Sequence, residues 1–249
     1  MAAVVVGFWN CTKFADWFDL TMERRIVKML SASSVVAAEG LARSTDRHEP
    51  LQSIFVAPEY AFSNPELANA AKPAVQTDTN GYWLLKQALV KHTGRHPSML
   101  MAPGTIAHVN SHYKAMNTCM VAYQRNIITF DKKAGVGEVC EGDGLEFKPG
   151  SGVGRMTIQR PGAENTIFGF QICKDATEVS AVPPPDTDVW IVVGQGVGKA
   201  AVLRDAKKLL IVADIGNFGV YEGRIRNELA SYRKDTILGC DIHFYLARL

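Results

Sequence analysis

Cys173 is the side chain best placed for covalent chemistry, because it ends an apolar run over residues 166–172. That run predicts a buried strand, and Lys174 and Asp175 directly after it predict a sharp turn. A thiol at the carboxyl end of a strand lies where open α/β sheets place ligands, and backbone N–H groups of the turn can face a substrate. Many cysteines are simply small core side chains, so other residues must decide whether Cys173 is a nucleophile.

Two charged side chains occupy comparable positions. Glu59 follows the apolar residues 54–57 and Pro58, in a segment that is rich in aromatic residues. A carboxylate in such apolar surroundings suits a general base that works near neutral pH. Lys132 follows a predicted strand at residues 126–130. A base, a cation and a thiol at three strand ends provide the groups that nucleophilic attack on a carbonyl requires.

The order and context of these segments resemble the nitrilase superfamily of carbon–nitrogen hydrolases. That family has a Pro-Glu segment for the base, a Tyr-x-Lys segment for the lysine and a strand that ends in the nucleophilic cysteine. The corresponding segments here are Pro58-Glu59, Phe130-Asp131-Lys132 and Ile172-Cys173. Three shorter segments, at residues 102–105, 116–119 and 147–150, also resemble family motifs and follow in the family order. The resemblance covers about residues 2–220.

The resemblance implies a mechanism. Cys173 would attack an amide or nitrile carbon, Glu59 would take the thiol proton, and Lys132 with the backbone N–H of Lys174 would stabilise the oxyanion. Loss of ammonia would leave a thioester that water hydrolyses, with Glu59 again as the base. The expected substrate is a small amide or nitrile, with amides favoured, and no metal or organic cofactor is implied. Lys133 is the fallback for Lys132, which is preferred because its spacing matches the Tyr-x-Lys pattern.

Three side chains are expected to bind the substrate. The family often has a second glutamate shortly after the lysine, and Glu138 takes this place, although Glu141 qualifies as well. Lys174 stands where the family often has an aromatic or uncharged residue, so it places a basic group near the substrate mouth. Gln195 lies in a glycine-rich loop that shapes the substrate pocket in the family.

The resemblance also implies the fold, an α-β-β-α sandwich of two mixed β-sheets packed face to face with helices outside. Residues 167–172 and 189–193 are apolar on both faces, as strands of covered sheets are. Relatives pair their helix layers across a two-fold axis, so a homodimer is expected.

The spacing of apolar residues predicts helices over residues 16–40, 82–91 and 200–208. The charged stretch at residues 224–235 gives no clear prediction, and residues 242–249 predict a final strand.

The whole chain is expected to form one domain over residues 1–249, because its length and 47% hydrophobic content suit a single large core. Its 27 basic and 25 acidic residues are scattered, which argues against a nucleic-acid partner. The apolar N-terminus lacks the basic region of a signal peptide and is too short to span a membrane. Five cysteines without a CxxC pair favour a reducing compartment, and we expect the cytoplasm.

Four alternatives compete with this hypothesis. The loop at residues 194–199 resembles a phosphate-binding P-loop, but valine and alanine replace its first glycine and its Ser/Thr. A papain-like hydrolase would need a histidine, and His243, the one histidine after Cys173, lies in an apolar terminal strand. Histidines 92 and 96, and 108 and 112, have helical metal-ligand spacing, but Gly94 and loop residues interrupt these pairs, so no metal site is expected. The last alternative is a non-catalytic domain of the same fold, against which the intact Glu, Lys and Cys argue.

Overall fold

The structure is a computed structural model that describes residues 3–13, 16–44, 48–63, 80–112, 114–134, 145–160, 162, 164–177, 186–197, 207–223 and 227–249. Within those ranges it contains two α-helices and fourteen β-strands. In chain order they are β1 (Ala3–Asn10), α1 (Met22–Arg43), β2 (Ser53–Val56), α2 (Asn80–Arg95), β3 (Met99–Ala102), β4 (Thr105–Val109), β5 (Ala115–Tyr123), β6 (Asn126–Asp131), β7 (Gly154–Ile158), β8 (Thr166–Ile172), β9 (Val189–Gly194), β10 (Leu209–Asp214), β11 (Gly219–Glu222), β12 (Asn227–Glu228), β13 (Arg233–Ile237) and β14 (Cys240–Arg248).

The strands form two mixed β-sheets. The eight-stranded sheet has the order β13-β14-β1-β2-β3-β5-β4, and β6 also pairs with β5. In this sheet β1, β2 and β3 are parallel. The six-stranded sheet has the order β12-β11-β10-β9-β8-β7, in which β8, β9 and β10 are parallel. The carboxyl ends of parallel strands meet at one edge of a sheet, and this is the edge at which the sequence places its candidate site residues.

The two sheets pack face to face on one large apolar core. Val4 and Phe8 of β1 contribute to this core together with Phe168 of β8. The alternate residues of β1, Val5 and Trp9, belong to a second core beneath the helices. Because both faces of β1 are apolar and successive side chains alternate, the eight-stranded sheet lies between the helices and the second sheet.

Helices α1 and α2 cover the outer face of the eight-stranded sheet. The side-chain oxygen of Thr21 caps α1 by accepting a backbone N–H of its first turn at 3.4 Å. α1 approaches β1 so closely that a Cβ at Gly7 would lie 2.3 Å from Val36. Between the helices, Ser33 Oγ and His92 Nε2 are hydrogen-bonded at 2.9 Å. Neither of these two described helices has both the length and the apolar character needed to cross a membrane.

The fold class expected from the sequence is confirmed, but the helix limits are corrected. α1 begins at Met22 rather than at residue 16, because extended Thr21 caps it and Trp17–Asp19 forms a separate 3-10 turn. α2 covers Asn80–Arg95 rather than residues 82–91 alone. Gly94 therefore lies inside α2, and its expected interruption of the histidine pair at 92 and 96 is wrong.

The stretch at residues 224–235, for which the sequence gives no clear prediction, contains edge strand β12 and the beginning of edge strand β13 within its described part, residues 227–235. Their side chains are exposed or half-buried, so the apolar alternation that signals a strand is absent. β14 begins at Cys240, two residues before the predicted start of the last strand. Residues 200–206 of the third predicted helix lie outside the described residues.

Candidate active site

Glu59 lies in the tight turn that follows β2, and it is 1% exposed. Its backbone N–H donates to the carbonyl oxygen of Gly194, at the end of β9, over 3.3 Å. The next residue, Tyr60, has a left-handed backbone with φ 58°, and its N–H donates to Thr105 Oγ1 at 2.9 Å. The turn also packs against Gly104, where a Cβ would lie 2.1 Å from a carbonyl oxygen of the turn. These contacts fix the position from which the Glu59 carboxylate projects.

Two donors share one carboxylate oxygen of Glu59. Lys132 Nζ and Asn117 Nδ2 each lie 2.8 Å from Glu59 Oε1. The side chains of Lys132 and Glu59 are 3% and 1% exposed, so their ion pair is buried. A buried ion pair adds little net stability, because both charges lose their hydration. Its presence in the core therefore favours a functional role.

Lys132 directly follows β6, and its backbone N–H donates to the carbonyl oxygen of Asn117 at 2.9 Å. Its ammonium lies 5.9 Å from the centre of the Tyr60 ring. Lys133, in contrast, is exposed. Successive residues of an extended chain point in opposite directions, so only one of the two lysines enters the buried site. The structure places Lys132 beside Glu59.

Cys173 begins a 3-10 turn, Cys173–Ala176, directly after β8. Its backbone is left-handed, with φ 46°, a conformation that is uncommon outside glycine and is concentrated at functional turns. The residue is 7% exposed, and its Sγ lies 3.7 Å from the carbonyl oxygen of Gln195. The turn thus directs the thiol toward the end of β9, to which the Glu59 backbone is also bonded.

The Cys173 thiol faces both members of the buried ion pair. Its pKa is raised to about 12, first because the thiol is buried and then because the Glu59 carboxylate is close, while the Lys132 ammonium acts in the opposite direction. A hydrogen bond between the thiol and Glu59 raises this pKa further. A thiol that is protonated at neutral pH would need a base in order to attack a substrate, and the Glu59 carboxylate lies beside this one.

A second buried carboxylate, Asp175, connects the cysteine turn to the lysine segment. Asp175 is 1% exposed. Its Oδ2 accepts the backbone N–H of Lys133 at 2.9 Å, and its Oδ1 accepts that of Ala134 at 2.7 Å. Its own carbonyl oxygen accepts Gln171 Nε2 at 3.1 Å.

A third buried carboxylate, Asp214, holds the loop that begins at Gln195. Its Oδ2 accepts the backbone N–H of Val197 at 2.7 Å, and its Oδ1 accepts that of Gly216 at 2.9 Å. The carbonyl oxygen of Gln195 is thereby held against Cys173. The Gln195 side-chain oxygen is buried, and no described residue donates a hydrogen bond to it.

The remaining predicted site residues have different positions. Lys174 is exposed on the turn beside Cys173. Glu138 and Glu141 lie outside the described residues. Asn117, Asp175 and Asp214 have no role in the sequence-based hypothesis. An isolated polar residue within or directly after an apolar strand nevertheless indicates that a buried polar group is needed there.

Three histidines that the sequence suggests as metal ligands or as a base make other contacts in the structure. His92 is bonded to Ser33, as described above, and His108 Nε2 lies 2.8 Å from Thr118 Oγ1. His243 lies beside Phe8, with ring centroids 6.4 Å apart. Among the described residues no three His, Cys, Asp or Glu side chains are grouped so that they could hold a metal ion. The charged groups that act on the Cys173 thiol are Glu59 and Lys132, and His243 is not among them, which argues against the papain-like alternative.

Comparisons with known proteins identify the fold. No protein-family model matches the sequence, and no curated protein matches it. Among solved structures, the NitN amidase from Nesterenkonia sp. AN1 aligns with a TM-score of 0.62 and 13% identity, over 99% of this chain and 92% of that chain. Saccharomyces cerevisiae Nit3, a member of branch 10 of the nitrilase superfamily, aligns with a TM-score of 0.59 and 12% identity, over 99% and 90%.

A mutant of the Nesterenkonia amidase, which shows the result of Michael addition of acrylamide at its active-site cysteine, aligns with a TM-score of 0.60 and 12% identity. That alignment covers 99% of this chain and 93% of the other. At these identities the likeness concerns the fold. The chain has the fold of nitrilase-superfamily amidases, as its sequence motifs predict.

Proposed function

We propose that this protein is a carbon–nitrogen hydrolase of the nitrilase superfamily that cleaves a non-peptide amide through a thioester on Cys173. The observation that carries the proposal is the buried pair of Glu59 and Lys132, whose charges both act on the Cys173 thiol. A thiol, a base and a fixed cation at the carboxyl ends of strands are the groups that such a reaction requires.

The first step joins the cysteine sulfur to the substrate carbonyl carbon. Glu59 accepts the thiol proton as the C–S bond forms, and the carbonyl π electrons move to oxygen. The resulting oxyanion is stabilised by the Lys132 ammonium and by the backbone N–H of Lys174. Because Asn117 and Lys132 both donate to one oxygen of Glu59, the carboxylate keeps its orientation while it takes up the proton.

The second and third steps reuse the same carboxyl group. When the tetrahedral adduct collapses, the C–N bond breaks and Glu59 gives its proton to the departing ammonia. A thioester remains on Cys173. Glu59 then takes a proton from water as the water oxygen attacks the thioester carbon, and that proton returns to the sulfur when the C–S bond breaks. The products are ammonia, a carboxylic acid and the original thiol.

An amide is favoured over a nitrile as the substrate. The aligned Nesterenkonia structures are amidases, and one of them carries acrylamide at its active-site cysteine. We infer that Gln195 and Lys174 contact the substrate, together with Glu138 from the lysine loop. The uncommitted side-chain oxygen of Gln195 suits the N–H₂ group of an amide, and exposed Lys174 suits a polar substrate at the site entrance.

We also propose one hydrolase domain over residues 1–249, a homodimer and a cytoplasmic location. The four described free cysteines are consistent with a reducing compartment. Sedimentation that gives only a monomer at micromolar concentration would contradict the dimer.

The proposed function is tested by trapping the covalent intermediate. Wild-type protein and the Glu59→Gln and Cys173→Ala variants are incubated with a panel of small amides and with acrylamide, and intact and peptide masses are then measured. We expect amide turnover only in the wild type, because acylation and deacylation both use Glu59, and an acrylamide adduct on the Cys173 peptide that Cys173→Ala lacks, since the thioether formed by Michael addition is not hydrolysed. Cys119→Ser is the control that should still react. Labelling at another cysteine, or turnover by Cys173→Ala, would rule out the assigned nucleophile.

A further inference from the structure

The carboxylate of Asp175 bridges two halves of the candidate site that come from different sheets. Asp175 follows Cys173 by two residues, and its two oxygens accept the N–H groups of Lys133 and Ala134 at 2.9 and 2.7 Å. These are the two residues directly after Lys132. One buried side chain therefore joins the turn that carries the thiol to the segment that carries the cation.

The backbone around Lys132 is held on its other side by main-chain contacts. The Lys132 N–H donates to Asn117, and its carbonyl oxygen accepts the N–H of Gly150 at 2.8 Å. Gly152, with φ 72°, lies so close that a Cβ there would be 3.2 Å from Asp175 Oδ2. Asp175 is thus enclosed, and a shift of its carboxylate would move the lysine segment.

We propose that Asp175 is a positioning residue that sets the distance between the Lys132 ammonium and the Cys173 sulfur. A role of Asp175 in catalysis rests on the function proposed above, but the effect of Asp175 on the Cys173 thiol can be measured without turnover. The charged groups that face the thiol are Glu59 from the β2 turn and Lys132 from the end of β6, and exposed Lys174 is adjacent in the chain.

The direction of the effect separates positioning from simple electrostatics. Asp175→Asn removes a negative charge near Cys173, and this change alone would let the thiolate form at the same or a lower pH. Release of the lysine segment withdraws a positive charge from the thiol, which shifts thiolate formation to higher pH. An upward shift in the Asp175→Asn variant therefore requires that Lys132 has moved.

The test measures the rate at which iodoacetamide alkylates Cys173 between about pH 7 and 9, below the range in which alkali destabilises the fold, with the modified peptide identified by mass spectrometry. In this range, an upward shift of thiolate formation appears as a lower alkylation rate at each pH. We expect upward shifts of the pH profile in Asp175→Asn and in Lys132→Ala, and no further shift in the double variant. Asp188→Asn is the matched control, because its buried carboxylate accepts the Ile167 N–H at the opposite end of β8 and should leave the profile unchanged.

Ala134→Pro provides a second test that leaves Asp175 intact, since proline lacks the N–H that Asp175 Oδ1 accepts. It should shift the profile in the same direction, with wild-type near-ultraviolet circular dichroism as the check on folding. A downward shift in Asp175→Asn, or shifts that add in the double variant, would overturn the positioning role. If Lys132→Ala leaves the pH profile unchanged, the Lys132 ammonium does not act on the thiol. That outcome would contradict the proposed function, whereas the outcomes above contradict only the positioning role of Asp175.

A separate feature lies on the outer face of α2, where a cleft of about 590 Å³ is bounded by the β5–β6 turn. Its lining includes Trp83, Val90 and four cations, Lys86, Lys91, Arg95 and Arg125. None of these cations forms an ion pair with a described residue, and Trp83 is 50% exposed.

The position of Arg125 in this cleft is built into the fold. Its backbone N–H donates to Thr93 Oγ1 of α2 at 3.2 Å. Its side chain lies over Gly94, where a Cβ would be 2.5 Å from Nε. The sequence has no Asp or Glu from position 80 to position 130, so nothing on these elements neutralises the cluster.

We infer that this cleft binds an acidic peptide segment of a partner protein, with one apolar side chain against Trp83 and Val90 and carboxylates on the flanking cations. The charges of such a segment complement the four cations, and planar guanidinium groups match carboxylates in two-point contacts. The apolar floor favours a peptide over a polyphosphate chain, which would need a longer basic track.

The test is fluorescence anisotropy with a labelled peptide of alternating Glu and Leu, the same peptide with Lys in place of Glu, and labelled oligothymidylate. We expect only the acidic peptide to bind, and Lys91→Glu/Arg95→Glu to weaken binding at least about tenfold. Lys148→Glu/Lys207→Glu changes the net charge equally at exposed positions outside the cleft and should bind as wild type. Tighter binding of the oligonucleotide, equal binding of both peptides, or a self-association that the charge reversal abolishes would overturn this proposal.

Discussion

At the scale of single residues, the candidate site depends on where three charged or ionisable groups are buried. Glu59 and Lys132 neutralise each other in the core, and Cys173 is protonated beside them. In the proposed mechanism, the protonated thiol lies next to a fixed carboxylate, so a short proton transfer would activate it when substrate arrives. In the same mechanism the Lys132 ammonium would face the charge that develops on the substrate, so its contribution would be largest in the transition state.

The two adjacent lysines give a residue-scale prediction. Lys132→Ala should lower kcat/KM by roughly a hundredfold or more, by analogy with the loss of an oxyanion donor. Lys132→Arg should not restore the rate, because a planar guanidinium does not replace a compact ammonium in a closed site. Lys133→Ala should behave as wild type, since the Lys133 side chain is exposed and its contact to Asp175 uses the backbone. Rates measured side by side on one amide decide this, and an equal loss in both alanine variants would contradict the assignment.

The three strand-end residues could be predicted because each is signalled locally, by an apolar run that stops at a reactive or charged side chain. Asn117 and Asp175 could not be assigned roles in this way. Their partners, Glu59 and the residues after Lys132, come from distant parts of the chain and from other strands. A sequence pattern records that a polar residue is present but not which backbone groups it reaches after the sheets have packed.

At the scale of elements, the site is assembled where β2, β6, β8 and β9 end. Parallel pairing of β1 with β2 and of β8 with β9 brings these carboxyl ends together, and face-to-face packing of the sheets joins the two edges. Two of the turns there contain a residue with a left-handed backbone, Tyr60 after β2 and Cys173 after β8. Such strain is retained when neighbouring contacts fix it, here the bonds of the β2 turn to Thr105 and to β9.

The contact between α1 and α2 gives an element-scale prediction about acid. The pKa of His92 is lowered to about 4, first by burial and then by the nearby His96 and Arg95. Because this folded-state value lies below the ordinary value of 6.5, the native protein binds fewer protons than the unfolded chain between pH 4 and 6.5. The contribution of His92 to the free energy of unfolding is therefore fully present above pH 6.5 and is lost as the pH decreases toward 4. The loss from this one group is less than about 1.4 kcal/mol per pH unit.

His92→Gln should flatten this acid dependence, because glutamine can keep a hydrogen bond to Ser33 without titrating. The measurement is the free energy of unfolding in urea at several pH values between 4.5 and 7.5. His112→Gln, at an exposed position in the β4–β5 turn, should retain the wild-type slope. If His92→Gln also retains it, the buried imidazole is not the acid-sensitive group.

At the scale of the whole molecule, the layers bury more ionisable groups than the proposed reaction uses. Cys11 and Cys240 lie in the core beneath the helices, and Cys119 lies with Cys173 in the core between the sheets. All four are free thiols. The sequence correctly indicates a large two-faced core, but it does not show which thiols become buried, since that depends on which face of each strand meets another layer.

These buried thiols predict that the protein is destabilised by alkali. Burial raises the pKa of Cys119 above its usual range and that of Cys240 to about 11, compared with an ordinary value of 9.0. Above pH 9 the unfolded chain loses these protons while the native protein keeps them, so stability is full below pH 9 and falls as the pH rises toward 11. Each buried thiol contributes less than about 1.4 kcal/mol per pH unit in that interval, because the difference in bound protons stays below one. The measurement is the free energy of unfolding in urea at several pH values between 8 and 10.5. This free energy should fall less steeply with pH in Cys119→Ala than in Val121→Ala, by a slope that corresponds to about one proton. Val121→Ala is the control, because it removes a buried side chain that does not titrate from the same strand and core. Equal slopes in the two variants would mean that the Cys119 thiol ionises as readily in the folded protein as in the unfolded chain.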